Sequence, residues 1–143
     1  MYFASAIRSA TKEDSAIQIL QVLRNFGEVL TEHIPDVEGF GDTCLPDDRV
    51  YQRDINWILE SDVVVANVSA PSLGVGYEIG FAEKIKPVLC LFNINSAIRL
   101  SAMIAGNPNL TLLRFNDSCD LTRQLQNYFN SNHFNKLIKK PQR

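Results

Sequence analysis

The sequence predicts an α/β protein, a parallel five-stranded sheet with helices on both faces. Three observations carry that expectation. Short apolar or β-branched runs alternate with stretches whose apolar residues recur every three or four positions. The run Asp62-Val63-Val64-Val65-Ala66-Asn67 is continuous where a half-exposed strand would alternate, which suits a central parallel strand covered on both sides. At 143 residues, 45% hydrophobic and 21% charged, the chain has the size and composition of one compact domain that buries roughly two-thirds of its unfolded surface. Right-handed crossovers then give the flavodoxin-like (Rossmann-like) strand order 2-1-3-4-5.

The elements follow in order. Met1 to Ile7 reads as the first strand, and the polar stretch ending in Glu13-Asp14-Ser15 leads into a helix. From Ala16 to Phe26 the residues Ile19, Val22, Leu23 and Phe26 share one helical face, with Gly27 at the C-cap. Glu28 to Thr31 predicts a second short strand. Pro35, Gly39, Gly41 and Pro46 make Asp36 to Asp47 a long loop. Asp47 or Asp48 caps a second helix that runs to about Ser61, with Tyr51, Ile55, Ile58 and Leu59 on one face and Asp54 on the adjoining edge, near Val50 and Trp57. Asp62 to Asn67 is the third strand. Gly74-Val75-Gly76 reads as a turn into a third helix, from about Tyr77 to Ile85. Pro87 to Phe92 is the next buried strand, Ala97 to Ala105 a helix, Thr111 to Phe115 the fifth strand and Leu121 to Phe129 the last amphipathic helix. Residues 1–135 form one domain without an internal repeat, and 136–143 a solvated basic tail.

The balance of 14 basic against 16 acidic residues, a net charge of −2, provides no field to draw in a polyanion, so no nucleic-acid polymer is expected as a partner. Val63 to Ala66 and Val88 to Phe92 fall far short of the roughly 18 apolar residues of a membrane span. The stretch Met1 to Arg8 lacks the features of a signal peptide. Cys44, Cys90 and Cys119 are odd in number and lack CxxC spacing, which argues against a disulfide framework and a zinc site. The expected location is the cytoplasm, with the nucleus open for a eukaryotic chain, and no metal or organic cofactor is implied.

Ligands of such sheets lie beyond the carboxyl ends of the strands, which directs attention to Ser5 to Arg8, to Ser69 to Glu78 and to the loop after Phe92. The segment Gly74-Val75-Gly76-Tyr77-Glu78-Ile79-Gly80 follows a central strand and opens a helix, so its N–H groups could face a phosphate or sugar. It is not a P-loop, since no Lys-Ser/Thr follows, and Gly80 comes one residue late for G-x-G-x-x-G. The macrodipole favours an anion in a first helical turn, and that alone would account for Glu78. A sharper account makes Glu78 a nucleophile facing the cleft and Asp54 the second carboxylate, one attacking C1′ and the other assisting the leaving group or a water. The helix N-terminus would keep Glu78 ionised, and a half-buried Asp54 with a raised pKa would hold a proton for the leaving base. A solvated acid on a helix edge is the plainer reading of Asp54.

Tyr2-Phe3-Ala4-Ser5-Ala6-Ile7-Arg8, Asp54 to Trp57, Asp62-Val63-Val64-Val65-Ala66, Pro71-Ser72-Leu73-Gly74-Val75-Gly76-Tyr77-Glu78-Ile79-Gly80 and Leu100-Ser101-Ala102-Met103-Ile104 together resemble the nucleoside 2-deoxyribosyltransferase family. The resemblance runs in order from Tyr2 to about Phe129 and is nearest to the 2′-deoxynucleoside 5′-phosphate N-hydrolase branch. It implies a homodimeric enzyme that cleaves the N-glycosidic bond of a deoxynucleoside monophosphate, giving free base and 2-deoxyribose 5-phosphate. It assigns the nucleophile to Glu78, leaving-base protonation or sugar positioning to Asp54, and a place beside the nucleophile to Tyr2, which composition alone would make a core aromatic.

The resemblance also implies that the 5′-phosphate is held by Ser5, Ala6, Ile7 and Arg8, by Ser72 and by Ser101, the last reaching over from the partner subunit, with Gly74, Ala102 and Met103 as further substrate-binding positions. His33 resembles a base-contacting position. Arg8 suits phosphate because a guanidinium grips it bidentately; a solvated arginine, a polar loop histidine and turn or cap hydroxyls at Ser72 and Ser101 are the plain alternatives. One departure stands out. The nearest hydrolases carry Gly-Ser-Ile-Arg where this chain has Ser5-Ala6-Ile7-Arg8, so a phosphate-facing hydroxyl is missing at Ala6. Losing one hydrogen bond to a charged group costs about 1.5 to 3 kcal/mol, and Ser5 or backbone N–H groups would have to make it good. Two rival functions remain open at this point: a transferase that passes the sugar from Glu78 to a second base, and a non-catalytic nucleotide-binding module.

Overall fold

A computed structural model describes residues 1–6, 14–31, 45–131 and 134. Along them run β1 (Tyr2–Ala4), α1 (Asp14–Leu23), α2 (Asp47–Glu60), β2 (Val64–Asn67), α3 (Leu73–Ala82), β3 (Val88–Asn93), α4 (Ala102–Ala105), β4 (Thr111–Phe115) and α5 (Ser118–Phe129). The strands form one sheet in the order β1-β2-β3-β4, every pair parallel. The α/β class and the parallel sheet are as expected, and the four strands keep the relative order of the expected strands 1, 3, 4 and 5.

Side chains of successive strand residues point to opposite faces, and the core divides accordingly. Phe3, Val65, Leu89 and Leu91 face one way and pack with Ile19, Leu23, Leu121 and Leu125 from α1 and α5. Tyr2, Ala4, Val64, Ala66, Val88 and Cys90 face the other way, beneath Ile58 of α2 and Val75, Ile79 and Ala82 of α3. Burial on both faces is why the central strands read as unbroken apolar runs. The same alternation puts Tyr2 on the face that α2 and α3 cover.

The second strand expected over Glu28 to Thr31 does not form. This segment lies along the free edge of β1, where Leu30 N–H donates to Met1 O at 2.9 Å. One step further on, a side chain replaces the ladder: Thr31 Oγ1 accepts from Phe3 N at 3.1 Å and donates to Phe3 O at 2.8 Å. A threonine hydroxyl does both jobs at once, so the edge of β1 is satisfied without a strand beside it.

Two helices also depart from expectation. α3 begins at Leu73 and not near Tyr77, because Ser72 caps it, its Oγ accepting from Val75 N at 3.3 Å. Gly74 and Gly76 therefore belong to the first helical turn and are not a separate turn. Helix over Ala97 to Ala105 is confined to Ala102–Ala105. Before it, the chain folds on side chains, with Ser96 Oγ donating to Ser69 O at 2.8 Å and accepting from Ile98 N at 3.3 Å. Among the described residues no helix is long and apolar enough to cross a membrane, and no group of three or more His, Cys, Asp or Glu is placed to hold a metal.

Candidate active site

The face of the sheet under α2 and α3 carries a polar cluster in an otherwise apolar layer. Tyr2 is 2% exposed, and its hydroxyl donates to Glu78 Oε1 at 2.9 Å across 76 residues of sequence. A buried phenol requires such a partner, since an unpaired hydroxyl there would forfeit its hydration for nothing. Burial, followed by the charges of Glu78 and Asp54, pushes the Tyr2 phenol far above the ordinary value of 10.0. It stays a neutral donor at any working pH. The charge of Asp54 also acts on this phenol, after burial and after Glu78.

Glu78 is the sixth residue of α3, beyond the first turn, so the macrodipole account of it fails. What orients it is Tyr2. Asp54 comes from α2 and is half-buried, with its side chain 16% exposed, so the reading of a fully solvated acid does not hold. Its Oδ1 accepts from Arg53 Nε at 2.8 Å, and the Arg53 guanidinium lies 4.9 Å from the centre of the Trp57 ring. Arg53 is a residue that sequence reasoning misses, because neighbours in a helix do not face each other and adjacency alone gives no sign of an ion pair. On the outer side of the same two helices, Tyr51 and Tyr77 are both more than half exposed and their hydroxyls lie 3.3 Å apart.

The expected phosphate residues divide into two groups. Ser5 stands just past β1, where its Oγ accepts from Asn67 Nδ2 at 3.4 Å. Asn67 is the second residue that the sequence did not single out. It ends a hydrophobic strand, and only the fold shows that its amide is buried beside Ser5. Ala6 is half-buried and, as a methyl side chain, donates nothing. The second group is Ser72 and Ser101, which line a groove of about 460 Å³ together with Gly76, Arg99, Leu100 and Met103. Glu78, Tyr2 and Asp54 are not among its lining residues. Gly74, Ala102 and Met103 are exposed beside it, Met103 at 81%. Ile7, Arg8 and His33 lie outside the described residues, as do Cys44 and the expected basic tail.

Glycine in a helix costs roughly 1 kcal/mol against alanine. At Gly76 and Gly80 the chain itself gives no reason to accept that cost, since a Cβ at either position would meet nothing within 4 Å. Among the described residues, nothing fills the space beside α3 at these two positions.

The fold and the cluster define an α/β protein with a carboxylate, Glu78, hydrogen-bonded to a buried tyrosine hydroxyl on the sheet face that α2 and α3 cover, and a second carboxylate, Asp54, on α2. Residues 1–131 match the family described as nucleoside 2-deoxyribosyltransferase, and the chain belongs to that family. A relative from Nematostella vectensis, carrying the provisional name 2′-deoxynucleoside 5′-phosphate N-hydrolase 1, is 49% identical over 116 residues, covering 76% of this chain and 78% of the relative. The 5-hydroxymethyl-dUMP N-hydrolase of Rattus norvegicus is 46% identical over 112 residues, covering 74% and 68%. Among solved structures, the CMP N-glycosidase BcmB of Clostridium botulinum superposes with a TM-score of 0.62 at 21% identity, over 89% of this chain and 98% of that one. This last likeness is one of fold.

Proposed function

We propose that the protein hydrolyses the N-glycosidic bond of 2′-deoxynucleoside 5′-monophosphates, releasing free base and 2-deoxyribose 5-phosphate. The observation that carries the reading is the buried Tyr2 hydroxyl bound to Glu78 Oε1 at 2.9 Å; the charge of Asp54 acts on the same phenol. Glu78 attacks C1′ as the C1′–N bond breaks, and Asp54 assists departure of the base. Water then cleaves the glycosyl ester, returns the carboxylate to Glu78 and frees the sugar phosphate. Tyr2 fixes the nucleophile through both steps without itself exchanging a proton. The names of the Nematostella and rat relatives support this choice of bond and substrate.

The enzyme works as a homodimer in the cytoplasm. Leu73 is 96% and Met103 81% exposed, both on the rim of the groove that holds Ser72 and Ser101. Apolar side chains so displayed call for a covering surface, and a second copy supplies one. Across it, Ser101 of one protomer reaches the phosphate of a nucleotide bound by the other. Arg8, Ser5 and Ser72 complete the phosphate grip, and His33 meets the base.

The test is chromatography of the base released from a panel of deoxynucleoside and ribonucleoside 5′-monophosphates, with the unphosphorylated nucleosides and a second free base alongside. Release from deoxynucleoside monophosphates is the expected result. Exchange of the sugar onto the second base would reassign the chain as a transferase, and silence across the panel would leave a binding module. Glu78→Gln folds and loses turnover; activity within about tenfold of wild type would remove Glu78 as nucleophile.

A further inference from the structure

We propose that Asn67 is a positioning residue that aims the Ser5 hydroxyl at the 5′-phosphate, supplying from one residue earlier the donor that Ala6 lacks. The inference rests on the monophosphate reading above. Ala4 pairs with Ala66 in the sheet, so the next residues of both strands, Ser5 and Asn67, come together where β1 and β2 end. Asn67 is 3% exposed, and a buried amide needs partners for both of its ends. Its Oδ1 accepts from Ser69 N at 3.1 Å. A backbone N–H can only donate, so this bond fixes which way the amide faces and turns Nδ2 toward Ser5.

That orientation decides what Ser5 can do. Its oxygen is engaged as an acceptor, and among the described residues its hydrogen has no acceptor of its own. The hydroxyl is held as a donor, and a donor polarised by an incoming N–H is a better one. Ser69, the far anchor, is itself held at two points, its Oγ accepting from Asn93 N at 2.9 Å and its carbonyl from Ser96 Oγ at 2.8 Å. The line Asn93–Ser69–Asn67–Ser5 thus transmits the rigidity of β3 and the following loop to a single hydroxyl. A neutral amide suits this place, because a carboxylate would take the Ser5 proton and repel a phosphate.

The experiment compares Asn67→Ala, Asn67→Asp, Ser5→Ala and the double variant Asn67→Ala/Ser5→Ala. Each is assayed on a deoxynucleoside monophosphate and on its unphosphorylated deoxynucleoside, and for binding of 2-deoxyribose 5-phosphate by calorimetry. Asn67→Ala and Ser5→Ala are each expected to raise KM for the monophosphate by roughly ten- to a hundredfold, and to weaken binding of the sugar phosphate alike, with little change in kcat. The preference for the phosphorylated over the unphosphorylated substrate falls by the same factor. The double variant is no worse than the worse single one, and Asn67→Asp is worse than Asn67→Ala. Adding Ala6→Ser to Asn67→Ala restores the preference, since it replaces the donor. Equal losses on both substrates, a fall in kcat without a rise in KM, or additive losses in the double variant would overturn the proposal, and circular dichroism identifies a variant that has failed to fold. Where Asn67→Ala fails to fold, the isosteric Asn67→Asp decides: loss of the preference for phosphorylated substrate supports the proposal, and an unchanged preference overturns it. If wild type cleaves no monophosphate, the hydrolase reading falls, and the calorimetry still judges Asn67: weaker sugar-phosphate binding in the variants supports it, and unchanged or absent binding overturns it.

Discussion

At the scale of single residues, catalysis in this reading depends on one hydroxyl that never ionises. Tyr2 lies under α2 and α3, and its proton is held by burial and by two negative charges. Tyr2→Phe keeps the ring and removes the donor, so kcat is expected to fall by roughly ten- to a hundredfold with folding intact. The sign of the pH effect follows from the direction of the shift. Above pH 10.0 the unfolded chain releases this proton and the folded chain keeps it, so Tyr2 makes stability fall as pH rises further. Urea denaturation across alkaline pH should therefore show a shallower decline in Tyr2→Phe than in wild type, and parallel curves would contradict the assignment. Glu78, Asp54 and Tyr2 could be singled out in the sequence because they sit in family strings, and the structure joins Tyr2 to Glu78. Arg53 and Asn67 could not, because each acts through a contact that helix periodicity or strand patterning does not encode.

At the scale of elements, two side-chain hydroxyls stand where backbone would be expected to serve. Thr31 satisfies both polar groups of Phe3 at the edge of β1. Thr31→Val preserves shape and leaves a buried N–H and C=O unpaired, at about 1 to 3 kcal/mol each, so the urea midpoint should drop with an unchanged slope. This dual role also explains why Glu28 to Thr31 reads as a strand in sequence and is not one in structure. Ser72 is the second case. It caps α3 and is also proposed to contact phosphate, and one pair of variants separates the roles. Ser72→Ala should lose about 1 kcal/mol of stability and also phosphate affinity. Ser72→Asp keeps a cap acceptor but brings a negative charge, so stability is retained while the preference for phosphorylated substrate collapses. If Ser72→Ala loses stability, Ser72→Asp keeps it and neither loses phosphate preference, Ser72 serves only the helix. The start of α3 was hidden because glycine is counted as a breaker, whereas a capped first turn accommodates Gly74 and Gly76. The strands were easier to locate, since burial on both faces leaves an unbroken apolar run in any sequence.

At the scale of the whole molecule, the parallel sheet is packed on both sides by an apolar layer, and among the described residues the surface around Leu73 and Met103 is uncovered. Leu73 and Met103 stand almost free in solvent beside Ser72 and Ser101, while Gly76 and Gly80 leave open space along α3. The proposed dimer through this face would account for these features together. Leu73→Asp makes no buried charge within the chain, so the protein should fold, sediment as a monomer and lose activity together with its partner. The shared site can be tested more directly by complementation. Glu78→Gln lacks the nucleophile, and Ser101→Ala lacks the hydroxyl offered to the other protomer. In a mixed dimer one site combines the intact Glu78 of one chain with the intact Ser101 of the other. When the two variants are dissociated and reassembled at equal amounts, half of the dimers are mixed and each holds one restored site, so roughly a quarter of wild-type sites should reappear at low substrate concentration. If Ser101 instead serves the Glu78 of its own chain, every mixed dimer carries one dead site and one weakened site, and mixing restores nothing beyond the average of the two variants.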